Sequence, residues 1–174
     1  MDPNTLYNQY SQPIYHTCLR ILRNTQEAEE SMQDAFVKLF SPGTPAFVNQ
    51  AVLYAWLKKV AVRGAIDRLR SLDFRMETQA TAAPDPETIP GLYSESYGDP
   101  QGEGDVQAEA RRQVAAVKQA LATLPSGYRT VLSLHLFEGY DMDEIATITH
   151  LQPSAVRSQY SRGRKKLQEA IQSI

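Results

Sequence analysis

The sequence predicts an all-α protein made of two small helical domains joined by a flexible acidic linker. Apolar residues recur at intervals of three and four through most of the chain, which is the period of an amphipathic helix. This period is lost between residues 73 and 105, where four prolines, four glycines and eight acidic residues accompany a single basic one. Such a composition is typical of an extended, self-repelling segment. We therefore expect domains at 1–75 and 106–174, with the linker at 76–105.

Three helices are predicted in the first domain. The first covers residues 4–23, and Pro13 is expected to break or kink it because proline lacks a backbone N–H. Asn24 followed by Glu27 is a capping signature that begins the second helix. The third helix is predicted at about 50–72. The second helix has an apolar stripe formed by Ala28, Met32, Ala35, Phe36 and Leu39.

The third helix contains several basic residues and one carboxylate, Asp67, close to an apolar stripe. A lone carboxylate there would be costly to desolvate. Arg63 and Arg70 stand at helical spacing from it, so we expect Asp67 to pair with one of them and to have a mainly structural role.

The second domain ends in a helix-turn-helix pattern. Asp141 and Glu144 have the spacing of a capping box. Residues 150–152 make the turn, and Pro153 opens the next helix, where a missing N–H is tolerated. Two further helices precede this motif, at 106–124 and 128–137.

The last helix has an apolar side and a basic side. Val156, Tyr160, Gly163 and Leu167 share one side, whereas residues 154–168 contain five basic residues and no acidic one. Short polar residues near the N-terminus and cations beyond suit a helix that enters the DNA major groove. A solvated basic face on an ordinary helical hairpin would have the same composition, so both interpretations stay open on these residues alone.

Composition excludes several classes of protein. The only cysteine, Cys18, stands at helical spacing from apolar residues, which favours a buried small side chain over a nucleophile. The three histidines are scattered, so we expect no metal, no cofactor and no catalytic residue. No run of about 18 apolar residues predicts a membrane span, and the N-terminus lacks a secretion signal. These features favour a cytoplasmic protein. The formal net charge of −2 indicates a small DNA contact or a larger partner that supplies most of the phosphate contacts.

Four blocks of the sequence together resemble one family. They are AEESMQDAFVKLF (28–40), WLKKVAVRGAIDRLR (56–70), LATLPSGYRTVLSLHLFEGYDMDEIA (121–146) and PSAVRSQYSRGRKKL (153–167). In order and spacing they are similar to the extracytoplasmic-function (ECF) group of the sigma-70 family, the promoter-recognition subunits of bacterial RNA polymerase. The resemblance implies sigma region 2 in the first domain and sigma region 4 in the second. It also implies three partners: the β′ and β subunits of core polymerase, promoter DNA and an anti-sigma factor.

The resemblance also assigns roles to individual residues. The acidic face of the second helix could be a plain solvated surface, which its composition favours, or a docking face for a basic partner, which the resemblance implies. The residues implied in polymerase binding are Glu30, Gln33, Asp34 and Phe36. Those implied in recognition and melting of the −10 element are Trp56, Lys59, Arg63 and Arg70. Those implied in recognition of the −35 element are Ser154, Arg157, Ser158, Gln159, Arg162 and Lys165.

The chain departs from the family pattern at three positions. Arg63 replaces a common asparagine and could contact guanine, phosphate or Asp67. Arg157-Ser158-Gln159 replaces a common Lys-Ser-Arg, and His150 occupies a turn position often filled by glycine. The alternative to a sigma subunit is a free-standing helix-turn-helix regulator, which should bind duplex DNA specifically without polymerase.

Overall fold

The computed structural model describes residues 2–79 and 105–173, with side chains for 2–73 and 106–173. The described residues form seven helices and no strand, which confirms the all-α prediction. They divide into two compact units, one containing α1–α3 and the end of α6, and the other containing the start of α6 with α4, α5 and α7. The helices are α1 (Pro3–Leu22), α2 (Thr25–Leu39), α3 (Gln50–Gln79), α4 (Asp105–Ala122), α5 (Ser126–Leu136), α6 (Met142–Thr149) and α7 (Pro153–Gln172).

In the first unit, α1, α2 and α3 pack against one another around a shared apolar core. Asp2 caps α1, because its carboxylate accepts from the Thr5 amide at 3.2 Å. Of the break or kink predicted at Pro13, the break does not occur, since α1 continues through Pro13 to Leu22. Pro13 is exposed, so its ring meets solvent on the outer side of α1 and the burial of the opposite side holds the helix together.

The second and third helices begin where the sequence predicted. Asn24 caps α2 by accepting from the Glu27 amide at 3.0 Å, which confirms the capping signature. However, α3 continues to Gln79, past the predicted end at Leu72 and into the segment assigned to the linker. Residues 73–79 contain no proline or glycine, so nothing in them stops the helix. Residues 80–104, the rest of the predicted linker, lie outside the described residues.

In the second unit, α5 and α7 cross closely and α4 packs against both. The crossing depends on Gly163 of α7, because a β-carbon there would stand 3.0 Å from Cβ of Tyr128 and 3.2 Å from Cδ1 of Leu132. Nearby, the rings of His135 and Tyr160 meet edge to face at 5.0 Å. The core of the unit is formed by Ala120, Leu121, Leu124, Leu132 and Leu167.

The helix-turn-helix has the predicted local geometry. Asp141 accepts from the Glu144 amide at 2.8 Å, and Glu144 accepts from the Asp141 amide at 3.2 Å, which confirms the capping box. His150 has a φ of 59°, the left-handed conformation that glycine adopts more easily. Pro153 is the first residue of α7, as predicted.

Cys18 and the other potential metal-binding side chains form no metal site within the described residues. Cys18 is fully buried, as predicted for a small core side chain. Within 2–79 and 105–173, no three side chains of the His, Cys, Asp and Glu types come together in a way that could hold a metal ion. No helix in these ranges has the length and apolar character needed to cross a bilayer.

Candidate partner and nucleic-acid interfaces

The basic side of α7 is exposed along its length. Ser154, Arg157, Ser158, Arg162 and Lys165, all predicted for DNA contact, are exposed. Gln152 precedes α7 without a side-chain capping bond, so the first-turn amides have no side-chain cap and can meet an anion. The structure therefore brings five of the six predicted residues onto one surface.

The cations of α7 are arranged in rows beside a line of short side chains. At about 100° per residue, Ser154, Ser158 and Lys165 run along the crest of the exposed side. Arg157 and Arg164 follow one flank, and the other flank is formed by Arg162 and Lys166. Among the described residues, none of these five cations makes an ion pair. The surface thus offers short polar groups at its centre and free positive charge on both sides, as a helix in the major groove requires.

Gln159, the sixth residue predicted for DNA contact, is less accessible than the other five. It is only partly exposed, and its Nε2 lies 3.4 Å from the position of a β-carbon on Gly127. Its Oε1 is buried and has no hydrogen-bond partner among the described residues. The absence of a β-carbon on Gly127 leaves room for the Gln159 side chain against the start of α5, so the side chain packs inward.

The four residues predicted to contact the −10 element form one ridge on α3. Arg63 and Arg70 are exposed, whereas Trp56 and Lys59 are partly exposed. The Trp56 ring packs against Phe47 with 5.4 Å between ring centroids, so one side of the indole is supported while the side chain stays partly exposed. A supported aromatic ring beside cations suits contact with unstacked bases.

Asp67 interrupts the positive charge of this ridge. It is exposed, and neither Arg63 nor Asp67 makes an ion pair within the described part of the chain, so the predicted pairing was wrong. Because Asp67 is in water, it needs no partner, and holding two long side chains together costs conformational entropy.

The predicted docking residues of α2 do not all share a face. Glu30, Gln33 and Asp34 are at least partly exposed, but Phe36 is 3% exposed and packs against Tyr7 with 4.9 Å between ring centroids. Residues two apart differ by about 200° around a helix, so Asp34 and Phe36 point to opposite sides. The assignment of Phe36 to the docking surface is therefore wrong for its side chain, which belongs to the core.

Two apolar residues that sequence reasoning missed lie beside the acidic ones. Val37 is 64% exposed and Phe40, just after α2, is 45% exposed. Val37 follows Gln33 and Asp34 by four and three residues, so the same helical spacing that defined the acidic face could have found it. We use the term docking face for Glu30, Gln33, Asp34, Val37 and Phe40.

Arg68 of α3 binds three carboxylates of α2. Its Nη1 donates to Glu27 Oε2 and Glu30 Oε2, both at 2.9 Å, and its Nη2 donates to Asp34 Oδ2 at 2.7 Å. The hydrogen bond to Asp34, together with those to Glu27 and Glu30, raises the pKa of the Arg68 guanidinium above its usual value. Two of the predicted docking residues are thus already engaged within the protein, which no pattern in the sequence of α2 alone indicates.

Comparisons with known proteins agree with these features. The family described as Sigma-70 region 2 matches residues 6–75, and the family described as Sigma-70, region 4 matches residues 115–167. The RNA polymerase sigma-H factor of Pseudomonas aeruginosa is 28% identical over 95% of this chain and 84% of its own length. The ECF RNA polymerase sigma factor SigW of Bacillus subtilis is 26% identical over 95% of this chain and 86% of its own.

A solved structure has the same fold. It is the sigma factor RpoE of Bartonella quintana, crystallised in complex with the anti-sigma factor NepR. The likeness has a TM-score of 0.58 with 18% identity and covers 97% of this chain and 96% of that one. Since both matched regions belong to sigma-70 proteins and together span most of the sequence, the chain belongs to the sigma-70 family, in its extracytoplasmic-function group.

Proposed function

We propose that the protein is a sigma subunit that binds bacterial core RNA polymerase and directs promoter-specific initiation. The observation that carries this proposal is the presence of both sigma regions in one chain, each with an exposed surface of the chemistry its role requires. Its action on DNA and polymerase places it in the bacterial cytoplasm. It contributes no catalytic group, because the chemistry of transcription belongs to the polymerase.

The surface of α7 is the proposed reader of the −35 element. Its crest of short side chains lets the helix approach base edges, while the flanking cations contact phosphates on either side of the groove. A helix in the major groove with its N-terminal end towards the bases would place Ser154 and Arg157 first. Specificity would then rest on the arginines, whose forked donors match guanine.

The ridge of α3 is the proposed reader of the −10 element. Melting requires that one strand be captured after its bases unstack, and Trp56 offers a stacking surface beside Arg63. Asp67 sets a local negative charge on the same ridge, which disfavours close approach of a phosphate there. A carboxylate can accept from the exocyclic amine of cytosine, so Asp67 would favour a base edge over the backbone.

The docking face of α2 is the proposed contact with core polymerase, through its β′ and β subunits. Its carboxylates suit a basic partner, and Val37 and Phe40 add apolar area that water would otherwise cover. An anti-sigma factor is a further proposed partner, because a protein that covers one of these surfaces would prevent holoenzyme formation.

Run-off transcription tests the proposed function. Purified bacterial core polymerase would transcribe fragmented DNA from the source genome with and without the full chain. We expect discrete transcripts that require both proteins, and their start sites would define the two promoter elements. Specific duplex binding by the chain alone, without core association or initiation, would instead establish a free-standing regulator.

Replacing Arg162 by alanine is expected to weaken holoenzyme binding to a promoter by about 1–3 kcal/mol if the guanidinium contacts a base. If it contacts phosphate, the loss is uniform across sequences and the salt slope falls by about one. Binding would be measured with promoters that carry single changes in the −35 element, over a range of salt concentrations.

Gln159→Ala is the matched control for Arg162→Ala on the same helix. Because Gln159 packs towards Gly127, its removal should leave the preference at the −35 element unchanged. A change of base preference in Gln159→Ala, with Arg162→Ala unaffected, would contradict the placement of the DNA-reading surface.

A further inference from the structure

The acidic stripe of α2 is held together by one cation from α3. Glu27, Glu30 and Asp34 recur at intervals of three and four, so their carboxylates line one side of α2. Like charges at these intervals repel one another. Arg68 donates to all three within 2.9 Å, so its charge offsets part of the repulsion and its planar fork fixes where each carboxylate lies.

The contact with Arg68 leaves part of Asp34 open to a partner. The side chain is 63% exposed, and Arg68 binds only its Oδ2. Oδ1 makes no hydrogen bond to the described residues. A donor on a partner protein can therefore bind Oδ1 while Arg68 keeps Oδ2, and it meets a carboxylate whose position is already set.

We infer that Arg68 is a positioning residue for polymerase docking, which holds Asp34 and Glu30 in the arrangement that the polymerase binds. The inference rests on the proposed function and deepens it, because Arg68 acts through the carboxylates. Ordering of these side chains takes place on folding, so less conformational entropy is lost when the partner binds. The same contact links α2, which carries the docking face, to α3, which carries the −10 ridge.

Positioning and charge predict opposite effects when Arg68 is removed. Arg68→Ala makes the docking face more negative by one unit, and this alone would strengthen attraction to a basic partner. If the arginine positions the carboxylates, its loss instead weakens binding, because Asp34 and Glu30 separate and become mobile. The sign of the change in affinity therefore distinguishes the two roles.

The experiment measures the dissociation constant of the full chain with purified core polymerase at several salt concentrations. The variants are Arg68→Ala, Arg68→Lys, Asp34→Ala and the double variant with alanine at both positions. We expect Arg68→Ala and Asp34→Ala each to bind about tenfold more weakly, and the double variant to be no more than about twofold weaker than Asp34→Ala alone. Arg68→Lys keeps the charge without the fork, so its affinity should lie between those of wild type and Arg68→Ala.

Arg63→Ala removes an exposed cation from the same helix as Arg68 without touching the α2 carboxylates, so it reports the effect of charge alone. Because Arg63 also belongs to the proposed −10 ridge, the control for unchanged core affinity is Arg112→Ala: Arg112 is an exposed cation that binds one carboxylate, Glu109, within α4. Thermal melting followed by Trp56 fluorescence, from the single tryptophan, reports whether each variant is folded. If Arg68→Ala does not fold, Arg68→Lys takes its place. The double-mutant cycle is then completed by combining Arg68→Lys with Asp34→Ala.

Tighter binding of core polymerase by Arg68→Ala would overturn the inference. Fully additive losses of affinity in the double variant would also overturn it, because they would mean that Arg68 acts independently of Asp34. Either result with normal binding by wild type leaves the proposed function intact. If wild type itself does not bind core polymerase, the proposed function and the inference both fail.

Discussion

Phe36→Ala is expected to lower the free energy of unfolding of the first domain by about 3–5 kcal/mol. Phe36 is 3% exposed and contacts the rings of Tyr7 and Phe40, so truncation removes a buried aromatic ring and leaves a cavity between α1 and α2. A domain of about 75 residues has roughly 4–11 kcal/mol of stability in total. The change therefore removes a large part of it. Urea unfolding followed by Trp56 fluorescence would measure the loss, because Trp56 lies in α3 of the same unit.

Val37→Ala is the control for this effect. Val37 is adjacent in sequence but 64% exposed, so its truncation should change stability by less than about 0.5 kcal/mol. Loss of core binding by Phe36→Ala follows from unfolding and says nothing about direct contact. The opposite pattern, in which Phe36→Ala keeps its stability but loses core affinity, would return Phe36 to the docking surface.

Phe36 also shows where sequence reasoning reached its limit. Its helical spacing with Met32, Ala35 and Leu39 already predicted the apolar stripe, and the structure confirms that these four residues are buried. The docking role came only from the family resemblance. A shared motif identifies which segment binds a partner, but the side of the helix on which each residue lies is set by the 3.6-residue period.

Local signals predicted most helix boundaries, because they depend on neighbouring residues. The caps at Asn24 and Asp141 and the helix start at Pro153 were all confirmed. The helix is not broken at Pro13 because the packing of α1 outweighs one missing hydrogen bond, which is a tertiary effect. The end of α3 was predicted too early. The acidic residues after Leu72 and the prolines from Pro84 onward suggested a linker, but residues 73–79 contain no residue that breaks a helix.

The Arg68 contacts could not be predicted from sequence. They depend on the register between α2 and α3, which places residues separated by 34 to 41 positions within hydrogen-bonding distance. Sequence spacing instead suggested the nearer pair of Asp67 with Arg63 or Arg70. Exposure decides against that pair, since water already solvates Asp67, whereas the packing of α2 on α3 brings the α2 carboxylates to Arg68 without extra ordering.

Gly163→Val is expected to destabilise the second domain by about 3 kcal/mol. Even the first added carbon would stand 3.0 Å from Cβ of Tyr128, an atom fixed to the α5 backbone, and 3.2 Å from Cδ1 of Leu132. Two further methyl groups would enter the same gap. Valine gains only a fraction of the roughly 1 kcal/mol of helix propensity that separates glycine from alanine, so overpacking dominates and α7 must move away from α5.

Gly64→Val provides the matched test of that balance. Gly64 lies within α3, and a β-carbon there meets no atom within 4 Å, so the same substitution gains helix propensity without a clash. We expect it to be neutral or slightly stabilising. Far-UV circular dichroism in urea would follow both domains, while Trp56 fluorescence follows the first alone. Gly163→Val should lower the urea midpoint of the second domain, which is seen by circular dichroism, and leave the transition reported by Trp56 fluorescence unchanged. If the two valine substitutions changed stability equally, Gly163 would not be what allows α5 and α7 to cross closely. The fixed support beneath Arg162 and Arg164 would then not depend on Gly163 either.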